Sequence, residues 1–263
     1  MSQILINNVQ KVFTTPGGPV VALKDIQLTI QPGEFVCLLG PSGCGKSTLL
    51  NAVAGFQPPS AGEITIEGKK ILSPGPDRGM VFQEYALFPW MTVAQNIAFG
   101  LEVQKKSRSD ITQTVNQLLD LLHLKDFRDR YPKDLSGGMR QRVAIARVLA
   151  LDSPIMLMDE PFGALDALTR RNLQDELLRI WEKLGKTILF VTHSIEESIY
   201  LADRIVVMTY RPGTVKRDQR VDMPRPRDPS SAAFNALKRE LGALVMEEQQ
   251  RHANAEMKLA AVD

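Results

Sequence analysis

A short run of glycine, serine and lysine residues constrains the fold of this chain more than any other feature. It follows an apolar segment, Phe35 to Leu39, and precedes another, Leu49 to Ala54, which gives the order strand, glycine-rich loop, helix. The spacing GxxxxGKS is typical of a phosphate-binding loop, in which glycines allow consecutive backbone N–H groups to converge on phosphate oxygens. The positive end of the following helix adds to the same anion site. The run consists of Gly40, Pro41, Ser42, Gly43, Cys44, Gly45, Lys46, Ser47 and Thr48.

Two side chains of this run have specific expected roles. Lys46 should reach the outer phosphates of a bound nucleotide, and the Ser47 hydroxyl should be a ligand of magnesium. The alternative is a tight strand-to-helix turn that binds nothing. We favour the phosphate-binding loop because both flanking segments fit and all the fixed positions of the motif are filled.

The composition is that of a soluble globular protein. The chain has 263 residues, enough for one large domain or a domain with a tail, and 44% of them are hydrophobic and 24% charged. No apolar run approaches the roughly 20 residues that span a bilayer, and the N-terminus has no signal-peptide pattern. We therefore expect a cytosolic chain that can still dock on a membrane protein. The two cysteines, Cys37 and Cys44, indicate neither a disulfide framework nor a metal cluster.

The order of elements predicts an α/β domain over residues 1–220 with a helical insertion. Segments at the N-terminus predict an antiparallel sheet that leads into the core strand, with two short strands between Ile4 and Phe13. From about 87 to 152, apolar residues recur at helical spacing. Residues 221–263 are expected to form a C-terminal extension with one amphipathic helix, whose periodicity ends near Gln249.

A second candidate anion site follows later in the chain, in the run Leu135 to Arg142. Ser136, Gly137 and Gly138 stand where a helix is predicted to begin, and a helix N-terminus attracts anions. The alternative is a simple serine cap of this helix. We favour the anion site because a phosphate-binding loop precedes it in the same chain.

Two carboxylates follow a predicted buried strand. The continuous apolar run Ile155 to Met158 is typical of a strand in a parallel sheet, and Asp159 and Glu160 come directly after it. Adjacent carboxylates at such a position are costly unless a cation or a reaction uses them. Asp159 suits magnesium, and Glu160 is the candidate base that orients and deprotonates an attacking water.

Three further residues are distinguished by their position. His193 follows the apolar run Thr187 to Thr192, and the carboxyl edge of an open α/β sheet is where ligands bind. Gln83 ends another short strand, and a functional role for it is indicated only by the motifs that follow. Phe13 could stack on an adenine ring. For His193 and Phe13, a purely structural role is the alternative.

Taken in order, these motifs resemble those of the ATP-binding subunits of ABC transporters. The sequence carries GPSGCGKST, Gln83, LSGGMRQR, IMLMDE, GALD at 163–166 and His193. The resemblance covers about Ile4 to Arg211. It implies the α/β fold of a P-loop NTPase of the ABC ATPase type, with a mixed core sheet, an N-terminal antiparallel β subdomain and an inserted helical subdomain. It also implies ATP and Mg²⁺ as cofactors.

Residue by residue, the resemblance implies how a nucleotide is bound. The adenine ring is expected on Phe13 and the phosphates on Gly40 to Thr48. A second copy of the chain covers the nucleotide with its signature segment, so that two chains form an ATP-sandwich dimer. The signature residues expected to contact the nucleotide are Ser136, Gly137, Gly138 and Gln141.

The resemblance further implies three catalytic residues, with Glu160 as the base, His193 as the switch histidine and Gln83 as a sensor. Gly163 and Met139 replace the usual Ser and Gln of the family, at positions that tolerate change. The implied ligands of magnesium are Ser47, Gln83 and Asp159.

A finer resemblance is to the importers of nitrate, taurine and aliphatic sulfonates. It implies an ATP-hydrolysing motor subunit that energises the uptake of a small anion such as taurine, an alkanesulfonate or nitrate. Bicarbonate, cyanate and a pyrimidine precursor of thiamine remain alternative substrates. A non-transport ABC ATPase is a further alternative, although the chain lacks the heptad coiled coil of such proteins. The segments that look like this branch are Arg78 to Gln83, Leu87 to Trp90, Pro161 to Arg170 and Met223 to Arg227.

The resemblance also implies partners and a location. We expect a peripheral subunit at the cytoplasmic face of the inner membrane, working with transmembrane permease subunits and an extracytoplasmic substrate-binding protein. The net charge of +2 argues neither for nor against nucleic acid, and no nucleic-acid partner is expected. Phe88 and Trp90, on either side of Pro89, are candidates for a permease docking patch. The alternative is that they anchor the helical insertion.

Overall fold

A computed structural model of the chain describes residues 2–260, with side chains as far as Asn254. The chain divides into two compact units, one made of Met1–Gly75 and Thr187–Asp263 and the other of Pro76–Lys186. The strands are β1 (Ile4–Thr15), β2 (Gly18–Ile30), β3 (Phe35–Leu39), β4 (Ala61–Ile66), β5 (Lys69–Lys70), β6 (Arg78–Val81), β7 (Ile155–Asp159), β8 (Thr187–Thr192), β9 (Arg204–Met208) and β10 (Val215–Arg220). The helices are α1 (Lys46–Ala54), α2 (Val93–Val103), α3 (Arg108–Leu121), α4 (Gly137–Ala150), α5 (Ala167–Leu184), α6 (Ile195–Leu201) and α7 (Ala232–Ala260).

The first unit begins with an antiparallel sheet in the strand order β2-β1-β4-β5. Ile4, Ile6 and Val9 of β1 are fully buried, whereas the residues between them are more exposed. The pairing of β1 with β2 shifts register between Ile6 and Val9, where Asn8 has a left-handed φ of 48°. We predicted two short strands here, which was wrong, because this bulge is absorbed within one continuous strand.

The core of the first unit is a mixed sheet around β3. This strand is completely buried and pairs in parallel with both β8 and β9, while β10 pairs antiparallel with β9. Both faces of β3 are covered, which explains why its sequence is a continuous apolar run with no polar alternation. The rings of Phe35 and Phe190, from β3 and β8, pack with their centroids 5.8 Å apart.

The chain ends in the long helix α7, which belongs to the same unit. Phe234, Leu241 and Val245 are buried at helical spacing on one face of it. The helix continues to Ala260, beyond Gln249, where the apolar periodicity of the sequence stops. Helical backbone therefore extends further than the buried stripe does.

The second unit combines two parallel strands with helices. β6 pairs with β7 from Arg78↔Ile155 to Val81↔Met158, so the two strands end at the same edge. Helices α2, α3 and α4 lie in the part of the chain expected to be a helical insertion, and α5 follows β7. α2 begins with a capping box, in which the Thr92 hydroxyl accepts the backbone amide of Gln95 and the Gln95 side-chain oxygen accepts the backbone amide of Thr92. Among the helices of the described residues, none has the length and hydropathy that a membrane span needs.

The sheet of β1 and β4 supplies a matched test of backbone strain. Gly62 and Gly68 both have left-handed φ values, 77° and 75°. A Cβ on Gly62 would lie 2.2 Å from the backbone oxygen of Asn8, whereas a Cβ on Gly68 would meet nothing within 4 Å. We expect Gly68→Ala to lower the free energy of unfolding by about 1 kcal/mol and Gly62→Ala by at least about 3 kcal/mol, because only Gly62→Ala adds a steric clash. Urea denaturation of both variants measures the difference, and equal losses would contradict this reading of the sheet.

Candidate functional site

The glycine-rich run connects β3 to α1 as the sequence predicts. Gly43 and Gly45 have left-handed φ values of 76° and 99°, which let the loop curl back before the helix. A Cβ on Gly45 would lie 2.7 Å from a Leu23 methyl, and one on Gly40 would lie 2.9 Å from the Cys44 sulfur. The loop is therefore packed so closely that glycine is required at these positions.

The N-terminus of α1 is suited to an anion. Its cap is Gly45, which offers no side-chain hydrogen bond, and the first turn of the helix contains no acidic residue. The first N–H groups of a helix have no partner within the helix, and they carry the positive end of its dipole. An anion at this point would meet these donors with no competing carboxylate in the turn.

Lys46 is buried, with only 5% of its surface exposed. Its ammonium donates to the carbonyl oxygens of Gly40 at 2.7 Å and Pro41 at 3.0 Å, and it lies 3.8 Å from the Cys44 sulfur. Two carbonyls of its own loop thus stabilise a charge that would be costly to bury alone. A phosphate oxygen bound by Lys46 has to compete with these two carbonyls.

The two cysteines of the first unit are buried and unlinked. Burial raises the pKa of the Cys44 thiol, although the neighbouring Lys46 ammonium acts in the opposite direction. Burial likewise raises the pKa of Cys37, in the middle of β3, well above its usual value. Both side chains are therefore neutral, and they fill space, Cys37 within the sheet and Cys44 within the loop, rather than act as nucleophiles.

His193 follows β8 next to the phosphate-binding loop. Leu39 of β3 pairs with Thr192 of β8, so the loop and His193 begin at the same sheet edge. The His193 side chain is exposed, and the turn that carries it is held by polar contacts that sequence reasoning missed. The Thr192 hydroxyl donates to Glu197 and accepts from the Ser194 amide. These contacts fix the backbone on both sides of the histidine.

Phe13 lies on β1, opposite Val20 of β2. Its ring is partly exposed, and the Lys11 ammonium stands 5.3 Å from the ring centre. An exposed aromatic face next to a cation is suitable for stacking a nucleobase, whereas a core phenylalanine would be covered. The adenine-stacking role stays a prediction.

In the second unit, Gln83 and the two carboxylates stand at the ends of strands that pair with each other: Asp159 is the last residue of β7, and Glu160 follows it. β6 and β7 are parallel and end together, which brings Gln83, Asp159 and Glu160 to one sheet edge. Glu160 has a left-handed φ of 42°, which is uncommon outside glycine. Its carbonyl accepts the Gly163 amide at 3.1 Å, closing a tight turn beyond the strand. Such a backbone is frequent at functional sites, where the surrounding structure imposes it.

The signature run begins α4. Ser136 caps the helix, since its hydroxyl accepts the Met139 amide at 3.3 Å. Gly138 is buried, and a Cβ there would lie 2.6 Å from the Thr169 methyl group. Gln141 is completely buried, and among the described residues its side-chain oxygen and nitrogen have no hydrogen-bond partner. The exposed hydroxyl of Ser136 and the buried amide of Gln141 are thus in different environments, and the nucleotide contact of both stays a prediction.

Arg147, on α4, is a residue that sequence reasoning missed. Its guanidinium donates to the carbonyls of Ala86 at 2.7 Å and Tyr85 at 3.3 Å, and it lies 5.6 Å from the centre of the Phe88 ring. Burial lowers the pKa of Arg147. Tyr85 and Ala86 both have left-handed φ values, 61° and 49°. The segment after Gln83 is therefore a strained backbone whose carbonyls are bound by Arg147, while Arg140 lies 5.6 Å from the centre of the Tyr85 ring.

Phe88 and Trp90 have different surroundings. Asn96 of α2 is fully buried and bonds the backbone of Phe88 twice, through Oδ1 at 2.9 Å and Nδ2 at 3.2 Å. The Phe88 ring also packs against Phe99 with centroids 4.6 Å apart. Trp90, in contrast, is 69% exposed. The rings of Phe88 and Trp90 also contact each other, with centroids 5.6 Å apart. The structure therefore makes Phe88 an anchor and leaves most of the Trp90 side chain in solvent.

The sequence matches a known family over the segment that contains the glycine-rich loop, Gln83, the signature run and Glu160. The model of the family described as ABC transporter matches residues 23–163. The chain belongs to the ABC transporter family. Its resemblance to this family, predicted from the ordered motifs, is confirmed.

Curated ABC relatives match most of the chain. A nitrate import ATP-binding protein, NrtD of Synechocystis sp., is 47% identical and covers 89% of this chain and 88% of its own. A taurine import ATP-binding protein, TauB of Roseobacter denitrificans, is 49% identical and covers 84% and 83%. An uncharacterised ABC transporter ATP-binding protein of Methanocaldococcus jannaschii is 46% identical and covers 94% and 92%. These relatives confirm the resemblance to the nitrate and taurine branch.

Solved ABC cassettes have the same fold. A dimeric ATP-binding cassette in a post-hydrolysis state with ADP and Pi gives a TM-score of 0.74 at 33% identity, and covers 84% of this chain and 100% of its own. A dimeric bacterial ABC transporter cassette gives a TM-score of 0.75 at 34% identity with the same coverage. The predicted α/β fold of the ABC ATPase type is therefore confirmed.

The different surroundings of Phe88 and Trp90 lead to a stability prediction. Phe88→Ala removes a ring packed against Phe99 and should lower the free energy of unfolding by about 1–3 kcal/mol. Trp90→Ala removes a side chain that is 69% exposed and contacts the Phe88 ring at a centroid distance of 5.6 Å, so it should lower the free energy of unfolding by less, about 0.5 kcal/mol. Thermal and denaturant unfolding of the two variants measure this. A large loss for Trp90→Ala would show that Trp90 is also an anchor.

Proposed function

We propose that this chain is the ATP-binding and ATP-hydrolysing motor subunit of an ABC importer. The observation that carries the proposal is the loop between β3 and α1, in which an uncapped helix N-terminus and the Lys46 ammonium are brought together. Both features attract phosphate, and glycines at Gly43 and Gly45 let the backbone follow it closely. The relatives named as ATP-binding proteins support the same conclusion.

The residues of the site fit ATP and magnesium by their chemistry. Gly40 to Thr48 would bind the phosphates, and Phe13 would stack on the adenine ring. Ser47, Gln83 and Asp159 offer a hydroxyl, an amide oxygen and a carboxylate, which are the hard oxygen donors that Mg²⁺ prefers. The ion, when bound, neutralises phosphate charge during phosphoryl transfer.

Glu160 is the proposed general base. It follows a buried strand, its backbone is fixed by the turn to Gly163, and a carboxylate there can accept a proton from water. His193 would contact the outer phosphate from the exposed turn after β8, and Gln83 would respond to the nucleotide. Ser136, Gly137, Gly138 and Gln141 would act on a nucleotide bound by a second copy of the chain, an arrangement supported by the dimeric cassettes of similar fold.

The transported substrate is proposed to be a small anion. The relatives named for nitrate and taurine import support nitrate, taurine or an alkanesulfonate. Bicarbonate, cyanate and a thiamine-precursor pyrimidine stay open, because the substrate is selected by other subunits. The proposed partners are transmembrane permease subunits and an extracytoplasmic binding protein, and the proposed location is the cytoplasmic face of the inner membrane. A non-transport ABC ATPase is the less favoured candidate.

Two substitutions should separate nucleotide binding from chemistry. Lys46→Ala removes the loop's buried cation and should weaken ATP binding at least about tenfold, as the loss of a charge-assisted hydrogen bond does. Glu160→Gln keeps size and hydrogen bonding but cannot accept a proton, so ATP should still bind while hydrolysis falls by about 10²–10⁴-fold. Calorimetric titration and phosphate release measure the two effects.

The same variants test the dimer. Glu160→Gln should accumulate as an ATP-bound dimer in gel filtration, whereas Lys46→Ala should stay monomeric under the same conditions. Circular dichroism confirms that both variants are folded. Hydrolysis by Glu160→Gln at a rate close to wild type would mean that another residue is the base.

We propose that Trp90 docks on the permease. Trp90→Ala should leave ATP binding unchanged but reduce the amount of permease that co-purifies with the chain from detergent-solubilised membranes of its source organism. Leu72→Ala is the matched control, because Leu72 is 72% exposed and also apolar. Equal recovery of permease with Trp90→Ala and with wild type would reject the docking role.

A further inference from the structure

The loop at residues 209–214, which we call the 209–214 loop, lies against the phosphate-binding loop within the first unit. A Cβ on Gly213 would come 2.2 Å from the carbonyl oxygen of Cys44. The Arg211 side chain lies beside Gly43, and its Nε donates to the Gly43 carbonyl at 3.4 Å. None of the motifs read from the sequence includes these residues.

The 209–214 loop has a well-defined conformation of its own. The Thr209 hydroxyl donates to the carbonyl of Pro212 at 2.8 Å and accepts the amide of Thr214 at 2.9 Å. Gly213 is also attached to β2, because its amide donates to the carbonyl of Ala22 at 2.9 Å. A loop held in this way can act as a fixed support for Arg211.

Helix α7 holds the same loop from the other side. Glu248 of α7 is completely buried, and one of its carboxylate oxygens accepts the backbone amide of Tyr210 at 2.8 Å. Its other oxygen accepts from Lys216 at 2.6 Å and Arg251 at 3.2 Å. The rings of Tyr210 and His252, also on α7, are 4.2 Å apart between centroids. A buried carboxylate is retained at a cost unless it is fully bonded, and here each bond restrains the position of α7 or of this loop.

The chemistry of phosphate binding explains why the contact of Arg211 with the Gly43 carbonyl is important. An anion needs backbone N–H groups directed towards it and carbonyl oxygens directed away from it. Lys46 holds the carbonyls of Gly40 and Pro41, and Arg211 holds that of Gly43. Gly43 is exposed, lacks a Cβ and has a φ of 76°. Its peptide unit is otherwise held by a long bond from the Cys44 amide to the Pro41 carbonyl at 3.4 Å, so Arg211 adds a second restraint. Fixing it beforehand lowers the entropy cost of binding.

We propose that Arg211 and Glu248 are positioning residues for nucleotide binding. Glu248 fixes the backbone at Tyr210, and Arg211 in turn holds the Gly43 peptide in the orientation that accepts phosphate. The C-terminal helix thereby sets the affinity of the phosphate-binding loop. The inference rests on the proposed function, because it specifies how that same site is tuned.

Charge and positioning make opposite predictions for one substitution. Glu248→Gln removes a negative charge from the unit that binds ATP, so electrostatics alone would strengthen the binding of an anion. Positioning predicts the reverse, since the amide group holds Tyr210, Lys216 and Arg251 less firmly. We expect Glu248→Gln to raise the Kd for ATP about threefold or more in calorimetric titrations. An unchanged or lower Kd would overturn the role of Glu248.

Arg211→Gln tests the other end of the connection. We expect it to raise the Kd and KM for ATP about 3–10-fold while kcat at saturating ATP stays within about twofold, because it affects binding and not the chemical step. The matched control is Arg217→Gln, which removes the same charge from β10 and breaks an exposed contact of 3.3 Å to Glu240 of α7. Arg217→Gln should change the Kd by less than about twofold. Equal effects of the two variants, or no effect of Arg211→Gln, would overturn the proposal.

The double variant tests whether one residue acts through the other. If Glu248 acts through Arg211, then Glu248→Gln should add little to the Kd of Arg211→Gln. Additive effects would overturn the connection. If circular dichroism shows that Glu248→Gln is unfolded, His252→Ala takes its place, because it removes the other contact of α7 with Tyr210. Failure of the wild-type chain to bind ATP would instead overturn the proposed function, which separates the two results.

Discussion

The buried ammonium of Lys46 is the interaction on which the rest of this structure depends. An isolated charge with 5% exposure would destabilise the unit, and two carbonyls of the same loop prevent that by accepting hydrogen bonds from the ammonium. Those carbonyls are available only because the loop curls. It curls only because Gly43 and Gly45 can adopt left-handed φ values. The buried strand β3 and the helix α1 then fix the two ends of the loop.

Much of the fold and of the candidate site could be predicted from the sequence, because local patterns of spacing and polarity indicate them. Spacing and flanking apolar runs predict the glycine-rich loop between β3 and α1, and an ordered series of motifs identifies the family. The strand-like runs before His193 and Asp159 also indicate which sheet edges carry them, since residues after parallel strands share an edge. These inferences need only sequence distance and polarity.

The rest depends on contacts between residues far apart in sequence. Nothing near Arg147 indicates that it holds the backbone at Tyr85 and Ala86, and nothing near Arg211 indicates that it reaches Gly43. The bulge at Asn8 joins two expected strands, because register depends on the partner strand as well as on the local pattern. Burial of the Gln141 amide could not be predicted for the same reason, since the signature pattern does not indicate how α4 is packed.

The clamp formed by Asn96 has a mechanical consequence for the exposed tryptophan. Its side chain bonds the main chain at Phe88, Met91 and Thr92, and therefore ties both flanks of Trp90 to α2. A segment restrained on both sides deforms little under force. A force applied to the indole ring therefore moves helix α2 and does not stretch the loop. Within this unit, Trp90 is thus a rigid connection between the surface of the protein and α2.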